Sequence, residues 1–327
     1  MHILVTGATG FIGSHLVEHL LEKKHEVRCL IRKTSSTRWL RPMHVELVDG
    51  DFFDIESLRP AVIGVDCIYH VAGVVASKTK EGFFRGNQHA TRQLLEAVRQ
   101  YNPHLSRFVH VSSFAAVGPS LDGRHSTEDT PYHPITTYGR SKMEAEKEVA
   151  KCGESFPWTI VRPPAVYGPR DTATFDFFKT ASRGLIPLVG FDSKLVSLVH
   201  VFDLVRGIVL AGQHSSAVRQ IYNIGSEQYY DWAEIGDTTM KVLGKKAIKV
   251  RIPEPIVFAV AGLVGFVSLF GSRPSVLNWE KGRDMVQKAW TCDISKAKKE
   301  LGYRESISLE EGIRETIEWY RSMGWLK

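Results

Sequence analysis

A tyrosine and a lysine four residues apart, in Tyr138-Gly139-Arg140-Ser141-Lys142, carry the strongest chemical signal in the chain. On a helix that spacing puts both side chains on one face. A phenol beside an ammonium can exchange a proton with a substrate oxygen, because the positive charge favours the phenolate and lowers its pKa. Alone, such a pair equally describes a solvated helix surface. Upstream, the run VHVSSFAAVG ends an apolar stretch on Ser112 and Ser113. A hydroxyl at that edge could hold the substrate oxygen while Tyr138 manages its proton. Ser113 is the expected one, with Ser112 deeper in the strand.

These groups must be held by elements that meet at one edge. The opening HILVTGATGFIG places Gly7, Gly10 and Gly13 between a first strand and a first helix. A dinucleotide turn needs glycine where it tightens, where pyrophosphate approaches and where helix meets strand. The helix start, Phe11-Ile12-Gly13, then offers free N–H groups to phosphate. Residues 3–6, 27–31, 45–48, 66–71, 107–112 and 158–162 read as strands. Residues 11–24, 87–100 and 137–151 read as helices, the first with Ile12, Leu16, Val17, Leu20 and Leu21 on one face. Runs such as LVT, CLI and IYHV lack in–out alternation, so the strands are buried on both faces. The pattern predicts a Rossmann-type, doubly wound α/β fold with a mostly parallel sheet. A smaller, discontinuous C-terminal substrate-binding domain completes it. Residues 1–170, completed by about 195–225, form the dinucleotide-binding domain. Residues 171–194 and 226–327 mainly form the substrate-binding cap. Asp231 and Ser308 read as helix caps, each with a glutamate three residues on, and Asp203 reads as the cap of the helix that follows it.

Composition limits the function classes. The 327 residues are 43% hydrophobic and 24% charged, ordinary for a folded globular chain and unlike disordered or fibrous ones. The net charge of +6 is scattered, with no long Lys/Arg block, so no nucleic-acid partner is expected. Cys29, Cys67, Cys152 and Cys292 form no CxxC pair, and the histidines make no recognised metal motif, so no metal is expected. His70, His110 and His200 read as core histidines, His200 with a competing place near substrate. No basic leader precedes the first strand, which makes the cytoplasm the expected compartment.

Two stretches leave alternatives open. The second strand ends Arg32-Lys33-Thr34-Ser35, without the carboxylate that would bind a ribose 2′-hydroxyl. Arg32 and Lys33 could meet a 2′-phosphate, favouring NADP over NAD, or simply be a solvated pair. Asp51, with Phe52 beside it in VDGDFFD, could accept from the adenine amino group or serve a turn. Residues 255–271, PIVFAVAGLVGFVSLFG, carry no charge. They are a buried or groove-lining helix, a peripheral membrane contact, or, though short for it, a span.

Taken together, TGATGFIG (6–13), GDFFD (50–54), YHVAG (69–73), SSFAAVG (112–118), YGRSK (138–142) and VRPPAVYGP (161–169) resemble the extended short-chain dehydrogenase/reductases, also known as the NAD-dependent epimerase/dehydratase family. The resemblance covers nearly the whole chain. It implies Ser113, Tyr138 and Lys142 as the catalytic set, Lys142 also reaching the nicotinamide ribose. It implies Ala72, Gly73, Asn87, Pro163 and Val166 beside the cofactor, and a homodimer through helices near 89–100 and 138–151. Phe114 and Ala115 stand where dehydratases carry Asp-Glu, which argues against dehydration. Lys194 to Asp203 lacks the Arg-Asp of many sugar-nucleotide epimerases. The chain is nearer the dihydroflavonol-reductase-like, hopanoid-associated and 3β-hydroxysteroid-dehydrogenase-like branches. The expectation is an NAD(P)-dependent oxidoreductase interconverting an alcohol and a carbonyl on a hydrophobic small molecule, with Phe175, Phe177, Phe178 and Phe191 either walling its pocket or forming the cap's own core. The alternatives are an NDP-sugar epimerase with tightly bound NAD, and a non-catalytic cofactor-binding regulatory protein.

Overall fold

A computed structural model describes residues 1–121, 123–270 and 278–326. The path runs β1 (His2–Thr6), α1 (Phe11–Glu22), β2 (Glu26–Ile31), β3 (Glu46–Asp49), α2 (Ile55–Val62), β4 (Cys67–His70) and α3 (Lys80–Phe84). A π-turn (Arg85–His89) leads into α4 (Ala90–Tyr101), followed by β5 (Arg107–Val111), a 3₁₀ turn (Phe114–Ala116), α5 (Thr137–Ala150) and β6 (Trp158–Arg162). The second half comprises β7 (Ala165–Tyr167), α6 (Phe175–Ser182), β8 (Leu185–Val189), β9 (Leu195–His200), α7 (Val201–Gln213), β10 (Gln220–Asn223) and β11 (Tyr229–Asp231). It ends with α8 (Trp232–Leu243), β12 (Ile248–Ile252), α9 (Glu254–Phe270), α10 (Trp279–Met285), β13 (Ala289–Trp290), α11 (Ser295–Leu301) and α12 (Leu309–Ser322).

Seven strands form one sheet in the order β10-β6-β5-β4-β1-β2-β3, and every pairing is parallel. This is the Rossmann-type fold expected. Strand alternation explains its two cores. Ile3, Val5, Tyr69 and Val109 meet Leu16 and Leu20 of α1 and Leu204 and Ile208 of α7 on one face. Leu4, Ile68, Phe108 and Ile160 meet Leu58 of α2, Leu94 and Val98 of α4 and Val149 of α5 on the other. β1 lies between β2 and β4, so the chain leaves it to one side and later returns to the other. A crevice for ligands opens at the carboxyl ends of strands at such a reversal.

A separate core joins α6, β8, α8 and α12. β9 centres a second sheet, parallel to β7 and β13 and antiparallel to β11, while β8 and β12 pair alone. Ser308 and Glu311 make the full capping box at α12, and Asp231 caps α8 through Ala233 N. Asp203 differs from expectation. It sits inside the first turn of α7, and its buried carboxylate accepts from Ser306 N at 3.2 Å and Ile307 N at 3.1 Å, tying α7 to the segment before α12. The expected helix 87–100 starts instead from the π-turn. Among the described residues no helix is long and apolar enough to cross a membrane. Gly271, the last residue of the apolar stretch 255–271, lies outside the described residues.

Candidate active site

The glycine turn is sterically obligatory. Gly7 has φ +72°, and a Cβ there would lie 2.6 Å from Ala72 N. A Cβ on Gly13 would lie 2.2 Å from Gly7 O. Neither position accepts a side chain without moving backbone. Gly10 is the N-cap of α1, with no side-chain cap and no acidic residue in the first turn. Ser14 N is bonded to Gly10 O at 3.0 Å, so the amides of Phe11, Ile12 and Gly13 lie ahead of the first helical hydrogen bond. An uncapped helix start behind a side-chain-free turn fits a dinucleotide pyrophosphate.

Buried polar groups hold the next wall of the crevice. Thr91 Oγ1 donates to Asn87 O at 2.7 Å, so its oxygen accepts from His70 Nε2 at 2.9 Å. His70 Nδ1 then accepts from Thr6 Oγ1 at 2.7 Å, and Thr6 Oγ1 accepts from Ala72 N at 3.3 Å. His70 is thereby a neutral Nε2–H tautomer, and burial pulls its pKa down to about 3. This chain ties β1 to β4 and α4. Asn87, fully buried, accepts from Val74 N at 2.8 Å and donates to Val74 O and to Ser141 Oγ. It fixes the Ala72-Gly73 strand exit against α5. His110, whose ring nitrogens have no hydrogen-bond partner among the described residues, and His200 are buried, and desolvation lowers both pKa values, His200's to about 4.

Against that wall the structure brings Ser113, Tyr138 and Lys142 together. Ser113 follows β5, and its Oγ accepts from Ala115 N at 3.2 Å. It also lies near enough to the Tyr138 phenol to act on its pKa. Lys142 is buried, and its Nζ donates to Val111 O at 2.8 Å. The same Nζ would lie 3.8 Å from a Cβ on Gly73. Burial pulls the Lys142 pKa down to about 8, with the Glu146 charge opposing. The Tyr138 phenol departs from expectation. Burial raises its pKa, and the opposing influence is the Ser113 hydroxyl rather than Lys142, whose ammonium is bonded to a carbonyl.

Glu146 was not singled out from the sequence, yet it lies one turn beyond Lys142 on the same face of α5. Its carboxylate accepts from Ser112 Oγ, from Tyr132 OH at 2.7 Å and from Arg162 Nη2 at 2.7 Å. Arg162 Nε reaches both carboxylate oxygens at 3.1 Å. Ser112 is thus engaged in a buried ionic cluster while Ser113 faces the phenol. The signal was available: a glutamate four residues after the lysine, and an arginine closing the otherwise uncharged strand WTIV.

The remaining expected residues lie around the same crevice with less definition. Arg32 and Lys33 follow β2, exposed and in no ion pair among the described residues. Asp51 is exposed, and its Oδ1 accepts from Phe53 N at 3.0 Å, an Asx turn that engages one oxygen. The Phe52 ring meets His70 edge-on at 5.7 Å. Pro163 O accepts from Phe114 N at 2.8 Å, and Val166 pairs with Val199 in β7. Of the two readings of the phenylalanines, the cap core is the one the packing of three of them fits. Phe175 packs on Tyr320 and Trp325 at 5.1 and 5.5 Å, Phe177 on Trp232 at 5.9 Å and Phe178 on Tyr320 at 5.8 Å, while Phe191 is exposed. The rings are drawn inward because α12 supplies them a large apolar partner.

The NAD dependent epimerase/dehydratase family matches residues 3–225. The ceramide reductase of Caulobacter vibrioides is 34% identical over 99% of this chain and 96% of its own. The crystal structure of gox2253 is 30% identical, with a TM-score of 0.84 and 99% of each chain covered. The Thermus thermophilus UDP-glucose 4-epimerase, solved as a complex with NAD, is 25% identical with a TM-score of 0.78, covering 98% of this chain and 99% of that one. The chain belongs to the NAD-dependent epimerase/dehydratase family of extended short-chain dehydrogenases/reductases. It is an NAD(P)-dependent oxidoreductase or epimerase that works by hydride transfer on a small molecule.

Proposed function

We propose that the protein interconverts an alcohol and a carbonyl on a hydrophobic, lipid-like substrate. The observation that carries the chemistry is the buried Lys142 Nζ, held at the end of β5 by Val111 O and 3.8 Å from a Cβ on Gly73, on the helix that also sets the Tyr138 phenol near the Ser113 hydroxyl. The nicotinamide supplies or removes the hydride. The remaining work falls to the chain. Ser113 Oγ holds the substrate oxygen. Tyr138 Oη gives that oxygen its proton in reduction and takes it in oxidation. Lys142, protonated below about pH 8, offers two further N–H donors to the ribose side of the cofactor. Gly7, Gly10 and Gly13 with the amides of Phe11, Ile12 and Gly13 seat the pyrophosphate. Residues 1–170 with about 195–225 hold the cofactor, and the rest of the cap meets the substrate.

The full-length similarity to a ceramide reductase supports the hydrophobic substrate class and the steroid- and flavonoid-reductase-like branch of the family. A second reading, an NDP-sugar epimerase, is supported by the architecture shared with UDP-glucose 4-epimerase. NADP preference rests on Arg32 and Lys33 at the end of β2, whereas the solved epimerase carries NAD. The same proposal includes a cytoplasmic homodimer through α4 and α5, which light scattering tests against a 36.7 kDa monomer. The deciding assay follows absorbance of NADH and NADPH with long-chain ketones, and separately product formation from UDP-sugars without added cofactor. Turnover of the ketone that disappears in Ser113→Ala is expected. Sugar turnover without net cofactor change overturns the lipid assignment in favour of the epimerase. The absence of any turnover with intact cofactor binding favours the regulatory reading.

A further inference from the structure

The charge of the chain is unevenly placed. Residues 241–290 contain nine basic and three acidic residues, a net +6, which equals the net charge of the whole protein. The other 277 residues are therefore neutral overall. In the middle of this basic segment lies α9, which has no charged residue after Glu254.

One face of α9 is used internally. Val257 and Ala261 are buried, Phe258 stacks near Trp279 at 4.9 Å, and a Cβ on Gly282 of α10 would touch Ala261 at 3.3 Å. The opposite face carries Ile256, Val260, Leu263 and Val267, at helical spacing along one stripe and 51%, 47%, 64% and 59% exposed. The hairpin of α9 and α10 is held to the body at two points. Lys194 Nζ bonds Glu254 Oε1 at 2.9 Å and Val286 O at 2.7 Å. Glu280 accepts from Thr137 N and Thr137 Oγ1, both at 2.7 Å, at the start of α5. The apolar stripe is thus presented by an anchored element.

We infer that this hairpin docks the protein on an anionic lipid surface, with α9 lying in the interface and the basic residues against headgroups. Apolar stripes of this kind mark interaction sites, and an apolar helix face within a segment rich in Lys and Arg matches the interface of an anionic bilayer. Lys245, Lys246, Arg251, Arg283 and Lys288 are exposed and in no ion pair among the described residues, while Lys249 and Lys281 are offset by Asp237 and Asp284. A second copy docking through the same face in two-fold symmetry would bring the two basic segments together, which charge repulsion opposes. Among the described residues α9 is not long and apolar enough to cross the bilayer, and the contact inferred is monotopic.

The test is sedimentation of the full-length protein with vesicles of mixed phosphatidylglycerol and phosphatidylcholine, against phosphatidylcholine alone, at low and high salt. It needs neither substrate nor turnover, so a wrong substrate assignment leaves it intact. Binding to the mixed vesicles that weakens with salt is expected. Val260→Glu with Leu263→Glu abolishes it, and Lys246→Glu with Lys288→Glu weakens it by roughly tenfold or more. Unchanged affinity for nicotinamide dinucleotide shows that each variant is folded. Failure of the native protein to bind anionic vesicles at low salt overturns the inference, as does undiminished binding by the Val260→Glu/Leu263→Glu variant. A loss of dimer in that variant, with vesicle binding retained, assigns the face to a second copy instead.

Discussion

Two buried charges lie one turn apart on α5 and are treated in opposite ways. Glu146 is saturated: Arg162 meets it through two nitrogens, and Ser112 and Tyr132 complete its shell. Lys142 has equal burial, but its hydrogen bond goes to the Val111 carbonyl. An ammonium has three donors, so the lysine retains capacity that the protein leaves for something else. Burial accordingly depresses Lys142, while Arg162 is held above its ordinary value by the Glu146 charge despite desolvation. A charge that serves the fold is surrounded by its own counter-charges. A charge placed for a ligand is left with part of its hydrogen-bonding unfilled and bears the desolvation.

The sharpest way to break this contrast is at the reactive end. Tyr138→Phe removes only the phenolic oxygen, and turnover should fall by about 10²–10⁴-fold, with melting temperature and cofactor affinity retained. Near-native rates, with the chemical step limiting, would refute the assignment of Tyr138. At the saturated end, Arg162→Ala leaves Glu146 buried and unpaired and should destabilise the fold by roughly 3–5 kcal/mol. Chemical denaturation measures this, and the double change Glu146→Leu/Arg162→Met should recover much of the loss.

The next effect has the opposite sign. The Lys142 pKa, about 8, lies below its ordinary 10.5, so the unfolded chain binds the extra proton between those values. Stability should therefore rise with pH from about 8 to 10.5, by at most about 3 kcal/mol from this group. Lys142→Met should flatten that rise and stabilise the protein near neutral pH while weakening cofactor binding and turnover. A variant less stable than the native protein at pH 7 would mean that Lys142 is a structural charge after all. The smallest expected effect is at the cofactor edge. Arg32→Ala should weaken NADP(H) binding by roughly tenfold, the equivalent of one charged hydrogen bond, and leave NAD(H) unchanged. Equal losses for both cofactors would remove Arg32 from the 2′-phosphate role.

Six strands of the sheet were readable because most of them are short apolar runs, and each is a local feature. Ser113, Tyr138 and Lys142 were readable for a similar reason: a strand end and an i,i+4 helical pair are set within a few residues. The Phe175–Phe178 cluster could be read as pocket wall or as cap core, because its partners, Tyr320 and Trp325, arrive from about 145 residues further along the chain. Nothing in FDFFK distinguishes a ring that lines a pocket from one that fills a core. Asp203 was misread for the same reason. Its position beside a helix start suggests a cap, but the amides it binds belong to Ser306 and Ile307.

By itself the sequence determined the order of strands and helices, the glycine turn and the face of α5 that carries Tyr138 and Lys142, because backbone sterics and helical periodicity act over a few residues. Only the tertiary structure decided which charges those residues feel. It brought Arg162 of β6 to Glu146, turned Lys142 to the Val111 carbonyl, and left burial to raise the Tyr138 phenol where the local pairing had suggested a lowered one. Desolvation and charge–charge energies depend on everything within several ångströms, and those neighbours come from β5, β6 and the cap.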